Sequence, residues 1–133
     1  MILVDTNVLL DVVLNDRDWA DWSQRQLDSA SLRETLCINQ VIYAELSIAF
    51  ARIEQLEKAL TDGGLSVQTI PREALFLAGK AFLKYRRGRG AKTNVLPDFF
   101  IGAHAAVDDL PILTRDAGRY RTYFPTVQLI TPG

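Results

Sequence analysis

The sequence predicts an α/β protein in which helices cover both faces of a mostly parallel sheet. Short apolar runs that suit buried strands alternate with amphipathic stretches that suit helices, from one end of the chain to the other. No internal repeat and no low-complexity linker interrupts this alternation. The 133 residues are enough to bury a core, and we expect a single domain over residues 1–133.

The chain opens with a predicted strand and an acid directly after it. Ile2 to Val4 form an apolar run, and Asp5 follows at the point where that strand would end. Asp, Thr and Asn are good N-caps, so a helix is expected to begin within Asp5-Thr6-Asn7. Ligands of open α/β sheets bind beyond the carboxyl ends of the strands, so Asp5 lies where such folds carry out chemistry. Helix capping alone is the alternative explanation.

A second acid interrupts the apolar face of a later helix. The elements expected in this part of the chain are a helix from Trp19 to about Ser29, a strand at Leu36–Ile38 followed by Asn39 as N-cap, and helices over about 40–51 and 53–61. Glu45 shares one helical face with Val41 and Ile48. A buried carboxylate without a partner is costly, so Glu45 should meet a cation, a metal ion or a proton. The alternative is a position at the stripe's edge, open to solvent or paired with Arg52.

A basic stretch follows the next strand and helix. We expect a strand over 65–70 and a helix opened by Pro71. That helix is predicted to give way to the segment 84–92, which holds five bases and no acid. Such a segment suits a mobile, sequence-independent contact with nucleic-acid phosphates. A solvated helix end with a flexible loop is the alternative, because Arg and Lys also favour helix C-termini.

A third acid heads another helix. Pro97 is expected to open this helix, in which Asp98 shares a face with Ile101 and Gly102. The favourable effect of a negative charge near a helix N-terminus would explain Asp98 by itself. The only histidine, His104, points away from the face of Asp98, so we expect a structural or surface role for it.

The fourth acid repeats the position of the first. Residues 110–114 form a short apolar run that predicts a strand, and Asp116 lies just beyond it. N-capping of a short helix after Asp116 is the alternative explanation. A final strand is predicted over 126–130.

Composition and charge argue against a disulfide-stabilised protein and against a membrane-spanning one. The one cysteine, Cys37, cannot form an internal disulfide, which suits a reducing cytosol. No apolar run is long enough to span a bilayer, and we expect no signal peptide before the first strand. The net charge of −1 combines −6 over residues 1–62 with +5 over residues 63–133, which allows a basic surface beside an acidic site.

Four acids therefore stand out by position: Asp5, Glu45, Asp98 and Asp116. The position of each acid can be explained by local structure alone, but four independent explanations would then be needed where one shared site explains all four. Clustered carboxylates stay ionised only with a compensating cation, and their hard oxygens suit Mg²⁺ or Mn²⁺, whereas His and Cys ligands for zinc are nearly absent. Such metals can activate water and stabilise the oxygens of a phosphodiester displacement.

With these residues the chain resembles the PIN-domain ribonucleases, and most closely the VapC-type toxins of bacterial toxin–antitoxin pairs. The resemblance covers nearly the whole chain and rests on four stretches. They are MILVDTNVLLD at the start, VIYAEL around Glu45, LPDFFIGAHA from Leu96 and LPILTRDAGRY from Leu110. Each stretch is a weak pattern, but the four in this order and at this length are a specific combination.

The resemblance implies a three-layer α/β/α sandwich with a mostly parallel, five-stranded sheet. It implies an endoribonuclease in which a metal-activated water attacks an RNA phosphodiester and leaves a 5′-phosphate and a 3′-hydroxyl. The catalytic acids would be Asp5, Glu45, Asp98 and Asp116, with Mg²⁺ or Mn²⁺ held chiefly by Asp5 and Asp98 and with Thr6, Asn7 and Thr114 in supporting positions. The resemblance also implies a cytoplasmic homodimer that a cognate antitoxin neutralises.

Charge, rather than motif, indicates a second set of site residues. The basic side chains of the segment 84–92 are expected to help to hold RNA: Lys84, Arg86, Arg87, Arg89 and Lys92.

Two other functions fit parts of the sequence. A phosphoacceptor receiver domain is also a small α/β protein, but it requires an acidic pair after the first strand and a lysine near a late strand end. Asp5-Thr6-Asn7 and Thr114-Arg115-Asp116 fit those requirements poorly. A non-catalytic RNA- or protein-binding module on the same fold would bind its partner without metal-dependent cleavage.

Overall fold

The structure, a computed structural model, describes residues 1–88, 90–92 and 95–132. The strands are β1 (Ile2–Val4), β2 (Leu36–Asn39), β3 (Leu65–Gln68), β4 (Ile112–Leu113) and β5 (Leu129–Ile130). The helices are α1 (Thr6–Val13), α2 (Ala20–Ser31), α3 (Gln40–Ser47), α4 (Ile53–Asp62), α5 (Arg72–Arg87), α6 (Leu96–Asp108) and α7 (Gly118–Tyr123). Among these helices, none has both the length and the hydrophobicity that crossing a bilayer requires.

The strands form one parallel sheet with β1 at its centre. The order is β3-β2-β1-β4-β5, and every neighbouring pair is parallel. The chain runs outward from β1 to β3 and then crosses back to β4, so right-handed connections place α1 to α4 on one face and α5 to α7 on the other. The predicted three-layer α/β/α sandwich is thus confirmed, with a sheet that is wholly rather than mostly parallel.

The sheet reverses its winding between β1 and β4. Val4 pairs with Leu113, and the backbone N–H of Asp5 donates to the Leu113 carbonyl at 2.9 Å. The residues just beyond the two strands, Asp5 and Thr114, therefore lie side by side. A crevice at such a reversal is where open α/β sheets bind their ligands.

The central strand has the burial that its apolar run predicts. The side chains of β1 are buried on both faces of the sheet, with exposures of 0–2% for Ile2, Leu3 and Val4. Helices α3 and α6 place the acids Glu45 and Asp98 against this core. Asn39 at the end of β2 caps α3, since its Oδ1 accepts from the Ile42 N–H at 3.0 Å. Pro97 lies in the first turn of α6.

Several boundaries differ from the expected ones. Helix α3 ends at Ser47 rather than near 51, and β3, β4 and β5 are shorter than their apolar runs. The prediction that the helix after Pro71 gives way to a mobile segment at Lys84 is wrong as far as Arg87, because α5 continues to that residue. Tyr85 explains the continuation, since its ring packs on Phe99 with a centroid separation of 5.5 Å. Arg89 lies outside the described residues.

His104 is buried and joins α6 to the start of α3. The Asn39 amide nitrogen donates to His104 Nδ1 at 3.1 Å, because the amide oxygen already accepts from α3. Nε2 must then carry the proton that is shared with Asp108 Oδ2 at 3.0 Å. Burial lowers the pKa of His104 although Asp108 opposes this, so the ring is neutral and structural.

Gly102 lets α6 lie close to α7 and its following residue. A Cβ at this position would overlap the ring of Phe124, which is only 3% exposed. We expect Gly102→Ala to lower the free energy of unfolding by about 2 kcal/mol, because overpacking a buried contact forces its neighbours apart. Urea unfolding followed by circular dichroism measures this change.

The matched control is the glycine of the neighbouring helix α5. Gly79 is exposed, and beyond its adjacent residues and the backbone of its own helix no described atom lies within 4 Å of the place that its Cβ would take. Gly79→Ala should therefore raise the free energy of unfolding by about 0.5–1 kcal/mol through helix propensity. Equal effects of the two substitutions would contradict the close approach at Gly102.

Candidate active site

Asp5 caps α1 with one of its two oxygens. Its Oδ1 accepts the Thr6 backbone N–H at 2.7 Å, which is the N-cap interaction of α1. The capping explanation of Asp5 is thus correct, but it accounts for only half of the carboxylate.

The other oxygen collects neutral donors from three parts of the chain. Asp5 Oδ2 accepts from Thr114 Oγ1 at 2.9 Å, from the Tyr120 hydroxyl at 2.9 Å and from Asn7 Nδ2 at 3.4 Å. The side chain is 5% exposed, and burial raises the pKa of Asp5 to about 6 although these hydrogen bonds act to lower it. The buried anion is solvated by hydroxyl groups rather than neutralised by a cation.

Glu45 and Asp98 face the same hollow as Asp5. Thr6 Oγ1 donates to Glu45 Oε1 at 2.5 Å, which links α1 to α3. Burial raises the pKa of Glu45 and that of Asp98, and the charge of Asp98 also raises the pKa of Asp5 and of Glu45. Thr6 joins Asp5 to Glu45, since its backbone N–H donates to Asp5 and its hydroxyl donates to Glu45, and Asp98 lies near enough for its charge to act on both.

Tyr120 adjoins these acids through its hydroxyl, which donates to Asp5 Oδ2 at 2.9 Å. Its hydroxyl is buried, and its pKa lies well above the usual value because of burial and the charges of Asp5, Asp98 and Glu45. Tyr120 therefore stays protonated and acts as a donor. We call the space bounded by Asp5, Glu45, Asp98 and Tyr120 the acidic hollow.

One cation enters the acidic hollow. Arg119 Nη1 donates to Asp98 Oδ2 at 2.7 Å in a partly buried ion pair. Burial raises the pKa of the Asp98 carboxyl, and Arg119 opposes that rise. Glu45 has no such partner in the described residues, because Arg52 lies against Glu54 at 3.5 Å instead.

Asp116 lies at the rim rather than inside. Its side chain is exposed, and its backbone N–H donates to Thr114 Oγ1 at 3.1 Å. The capping explanation is wrong, because α7 begins after Ala117 without a side-chain cap. The charge of Asp116 also contributes to the raised pKa of Asp98, so it acts on the hollow from outside.

A buried ion pair fixes the loop after β4. Arg115 donates from Nε to Asp11 Oδ2 at 2.8 Å and from Nη2 to Asp11 Oδ1 at 3.0 Å, while Ser23 Oγ donates to Oδ2 at 2.8 Å. The Arg115 backbone N–H also donates to Asn7 Oδ1 at 3.2 Å. Since Arg115 separates Thr114 from Asp116, this clamp on α1 sets the position of both.

Asp11, Arg115, Arg119 and Tyr120 were not singled out by sequence reasoning. The available signal was the position of Arg115, Arg119 and Tyr120 within seven residues after β4, next to an acid at a strand end. Asp11 lies two turns after Asp5 on an otherwise apolar stretch, which indicates a buried acid that needs a partner.

The donor chemistry of the hollow suits a hard divalent cation, although no group of three His, Cys, Asp or Glu side chains in the described ranges is arranged to hold one. Asp98 is engaged by Arg119, and one Asp5 oxygen is engaged by hydroxyl groups. The carboxylate oxygens of Asp5 and Asp98 are of the type that Mg²⁺ or Mn²⁺ prefers, but a metal ion and Arg119 would compete for Asp98.

The basic stretch approaches the hollow through Tyr85. The side chains of Lys84, Arg86, Arg87 and Lys92 are exposed, whereas Tyr85 turns inward. The Tyr85 hydroxyl accepts the Lys92 backbone N–H at 3.2 Å, and the Arg119 guanidinium carbon stands 5.8 Å from the centre of its ring. Arg89, predicted with this group, lies outside the described residues.

Comparison with known proteins adds a family and a fold. The family model of the PIN domain matches residues 2–125. No functionally curated protein matches the sequence.

Several solved structures share the architecture. VapBC2 from Rickettsia felis, bound to a DNA fragment from its promoter, gives a TM-score of 0.76 at 18% identity and covers 100% of both chains. VapBC-1 from nontypeable Haemophilus influenzae gives 0.72 at 18% identity over 98% of each chain. FitAcB from Neisseria gonorrhoeae gives 0.68 at 21% identity, over 98% of this chain and 96% of its own.

The burial of Asp5 generates a stability prediction. Its folded-state pKa of about 6 lies above the ordinary value of 3.8, so its contribution to stability is present below pH 3.8 and is lost as the pH rises through 6. Asp5→Asn removes the buried charge and should raise the free energy of unfolding at pH 7 by about 2 kcal/mol. Urea titrations between pH 4 and pH 8 should show the gain only at the upper end.

Asp11 supplies the matched control, since it is a buried acid on the same helix. Its charge is paired with Arg115, so Asp11→Asn should lower the free energy of unfolding by about 1–3 kcal/mol. If both variants were destabilised equally at pH 7, the charge of Asp5 would not be the unfavourable one.

Proposed function

Since the chain belongs to the PIN-domain family, we propose that it is a metal-dependent endoribonuclease and the toxin of a type II toxin–antitoxin pair. The observation that carries the proposal is the hydrogen-bonded linkage of the acids beyond the carboxyl ends of β1 and β4: Thr6 joins Asp5 to Glu45, and the adjacent residues Tyr120 and Arg119 donate to Asp5 and to Asp98. Asp116 at the rim supplies the fourth acid of the proposed catalytic set.

The chemistry of the acids supports phosphodiester hydrolysis. Asp5 and Asp98 would chiefly hold Mg²⁺ or Mn²⁺, with Glu45 and Asp116 completing the set. When bound, the ion lowers the pKa of a water molecule and stabilises charge on the phosphate oxygens. Burial raises the pKa of Glu45, and this carboxylate is the proposed general base that takes a proton from the attacking water.

Neutral side chains hold the acids in place for this role. Thr114 and Tyr120 donate to Asp5, and Thr6 donates to Glu45, so each carboxylate presents its remaining lone pairs to the hollow. Asn7 contacts Asp5, Thr114 and the Arg115 backbone, which ties the turn after β1 to the turn after β4. Thr6, Asn7 and Thr114 thus have supporting rather than reacting positions.

The charge distribution supports RNA as the substrate. The exposed bases at the end of α5 provide phosphate contacts at a distance from the acids, and Tyr85 joins that helix end to Arg119. RNA of unspecified sequence is therefore the proposed substrate, held by Lys84, Arg86, Arg87 and Lys92. A cytoplasmic location is part of the same proposal.

Two apolar surfaces support protein partners. A groove of about 410 Å³ between α1, α2 and α4 is lined by Leu9, Leu27 and Leu56, and it offers the antitoxin an apolar surface. On α5, Phe76 is 70% exposed, and Leu83, seven residues later on the same side of the helix, is 42% exposed. These exposed apolar side chains support a homodimer contact on that helix.

Cleavage depends on the acids if the proposal is correct. Purified protein should cut single-stranded RNA with Mn²⁺ and not with EDTA, and Asp5→Asn or Asp98→Asn should lower the rate by about 100-fold or more. Asp21→Asn makes the same chemical change on the exposed side of α2 and should leave the rate unchanged.

Cleavage that persists in both acid variants would point to a contaminating nuclease. RNA binding without any cleavage would favour the non-catalytic module on the same fold. Sequencing the RNA ends should give 5′-phosphates and 3′-hydroxyls.

Metal binding should also stabilise the fold. An ion held by Asp5 and Asp98 would compensate the charges of two carboxylates whose pKa values are raised mainly by burial, so millimolar Mn²⁺ should raise the melting temperature by about 5 °C or more. Asp98→Asn should abolish the shift in differential scanning fluorimetry, whereas Asp21→Asn should retain it. A wild-type protein without a shift would lack the proposed metal site.

A further inference from the structure

We infer that Arg119 binds the phosphate of the substrate, and that Asp98 holds this guanidinium in the acidic hollow until metal and RNA arrive. The inference rests on the proposed nuclease function and adds a residue and a step to it. Three observations on Arg119 carry it. Among the described residues it is the only cation that contacts the four acids, most of its hydrogen-bond donors are unused, and its guanidinium lies against the Tyr85 ring.

Arg119 is the only cationic side chain that contacts the four acids in the described part of the chain. The hydrogen bonds to Asp5 come from Thr6, Asn7, Thr114 and Tyr120, and the hydrogen bond to Glu45 comes from Thr6, all of which are neutral. A phosphodiester that enters an acidic hollow meets repulsion unless cations compensate it. Arg119 is the protein group in position to do so.

The guanidinium uses little of its hydrogen-bonding capacity. Within the described residues its only hydrogen bond is the one from Nη1 to Asp98 Oδ2 at 2.7 Å. A guanidinium has five donors in a planar fork that matches two oxygens of a phosphate. Its side chain is 25% exposed, so the remaining donors are reachable while the charge is only partly hydrated.

Tyr85 and α7 hold the guanidinium at the edge of the hollow. The guanidinium carbon stands 5.8 Å from the centre of the Tyr85 ring, and this ring packs on Phe99 and Tyr123. The backbone of Arg119 lies in the first turn of α7, one residue before the buried Tyr120. A small rotation of a long side chain can therefore move the cation from Asp98 to an incoming phosphate without moving the helix.

The ion pair and a metal ion compete for the same carboxylate. Asp98 is a proposed metal ligand, and its Oδ2 is the oxygen that Arg119 occupies. Arg119 would leave Asp98 if this carboxylate took up Mn²⁺, and its guanidinium would then be available to the substrate phosphate. Removal of Arg119 should consequently favour metal binding and impair RNA cleavage, whereas a purely structural role would weaken both.

The experiment compares Arg119→Gln and Arg119→Lys with the wild type and with Arg121→Gln. Arg121 lies on the same helix, is exposed and contacts Thr131 at 3.5 Å rather than an acid, so it controls for the loss of one charge. Urea unfolding first establishes that each variant is folded. Isothermal titration with Mn²⁺ alone and cleavage of a single-stranded RNA at saturating Mn²⁺ are then measured.

Arg119→Gln should bind Mn²⁺ about 5-fold more tightly, because Asp98 loses its competing cation. The same variant should lose about 10- to 100-fold in kcat/KM, because the bidentate phosphate contact is gone. Arg119→Lys keeps the charge without the fork, so its Mn²⁺ affinity should stay near the wild-type value while its kcat/KM falls by an intermediate factor. Arg121→Gln should change neither quantity.

The inference is overturned if Arg119→Gln cleaves as fast as the wild type, or if its Mn²⁺ affinity falls together with its activity. Either result leaves the proposed nuclease function standing, because the wild-type protein still cuts RNA. A wild-type protein that cuts no RNA overturns both.

Discussion

A carboxylate buried at the centre of the sheet is the constraint on which the rest of the site depends. Asp5 follows the strand in the middle of the sheet and is only 5% exposed, so an anion there needs donors from the protein itself. The chain brings them from α1, from the end of β4 and from α7. The positions of α7 and of the loop before it follow from this requirement, because Tyr120 and Thr114 must both reach one oxygen.

Packing elsewhere serves the same arrangement. Gly102 admits Phe124 against α6, which brings the end of α7 close to the helix that carries Asp98. Asn39 and His104 tie α6 to the first turn of α3, the helix that carries Glu45. The two acids on helices are thereby fixed relative to each other through buried, uncharged hydrogen bonds, and the ion pair of Asp11 with Arg115 fixes the turn that carries Asp116.

Much of the fold was predictable from the sequence, because strand runs and helix stripes are local patterns. Asp5, Glu45 and Asp98 stood out since each interrupts an apolar pattern, and the structure links Asp5 to Glu45 through Thr6 and Asp98 to Arg119, next to Tyr120. Arg119 and Tyr120 give no such local signal, because an arginine and a tyrosine in a short amphipathic turn suit solvent equally well. The extent of α5 was mispredicted for a related reason: the contact of Tyr85 with Phe99 joins residues from two helices.

The wide sequence separation of the partners of Asp5 has a consequence for synthesis on the ribosome. Thr114 and Tyr120 lie 109 and 115 residues after the carboxylate that they solvate. A nascent chain that has emerged only as far as β3 carries Asp5 and Glu45 but neither Asp98 nor the two hydroxyl groups that donate to Asp5. The acidic hollow therefore cannot be complete until almost the whole polypeptide has left the exit tunnel, so any activity of this site begins only when synthesis is nearly finished.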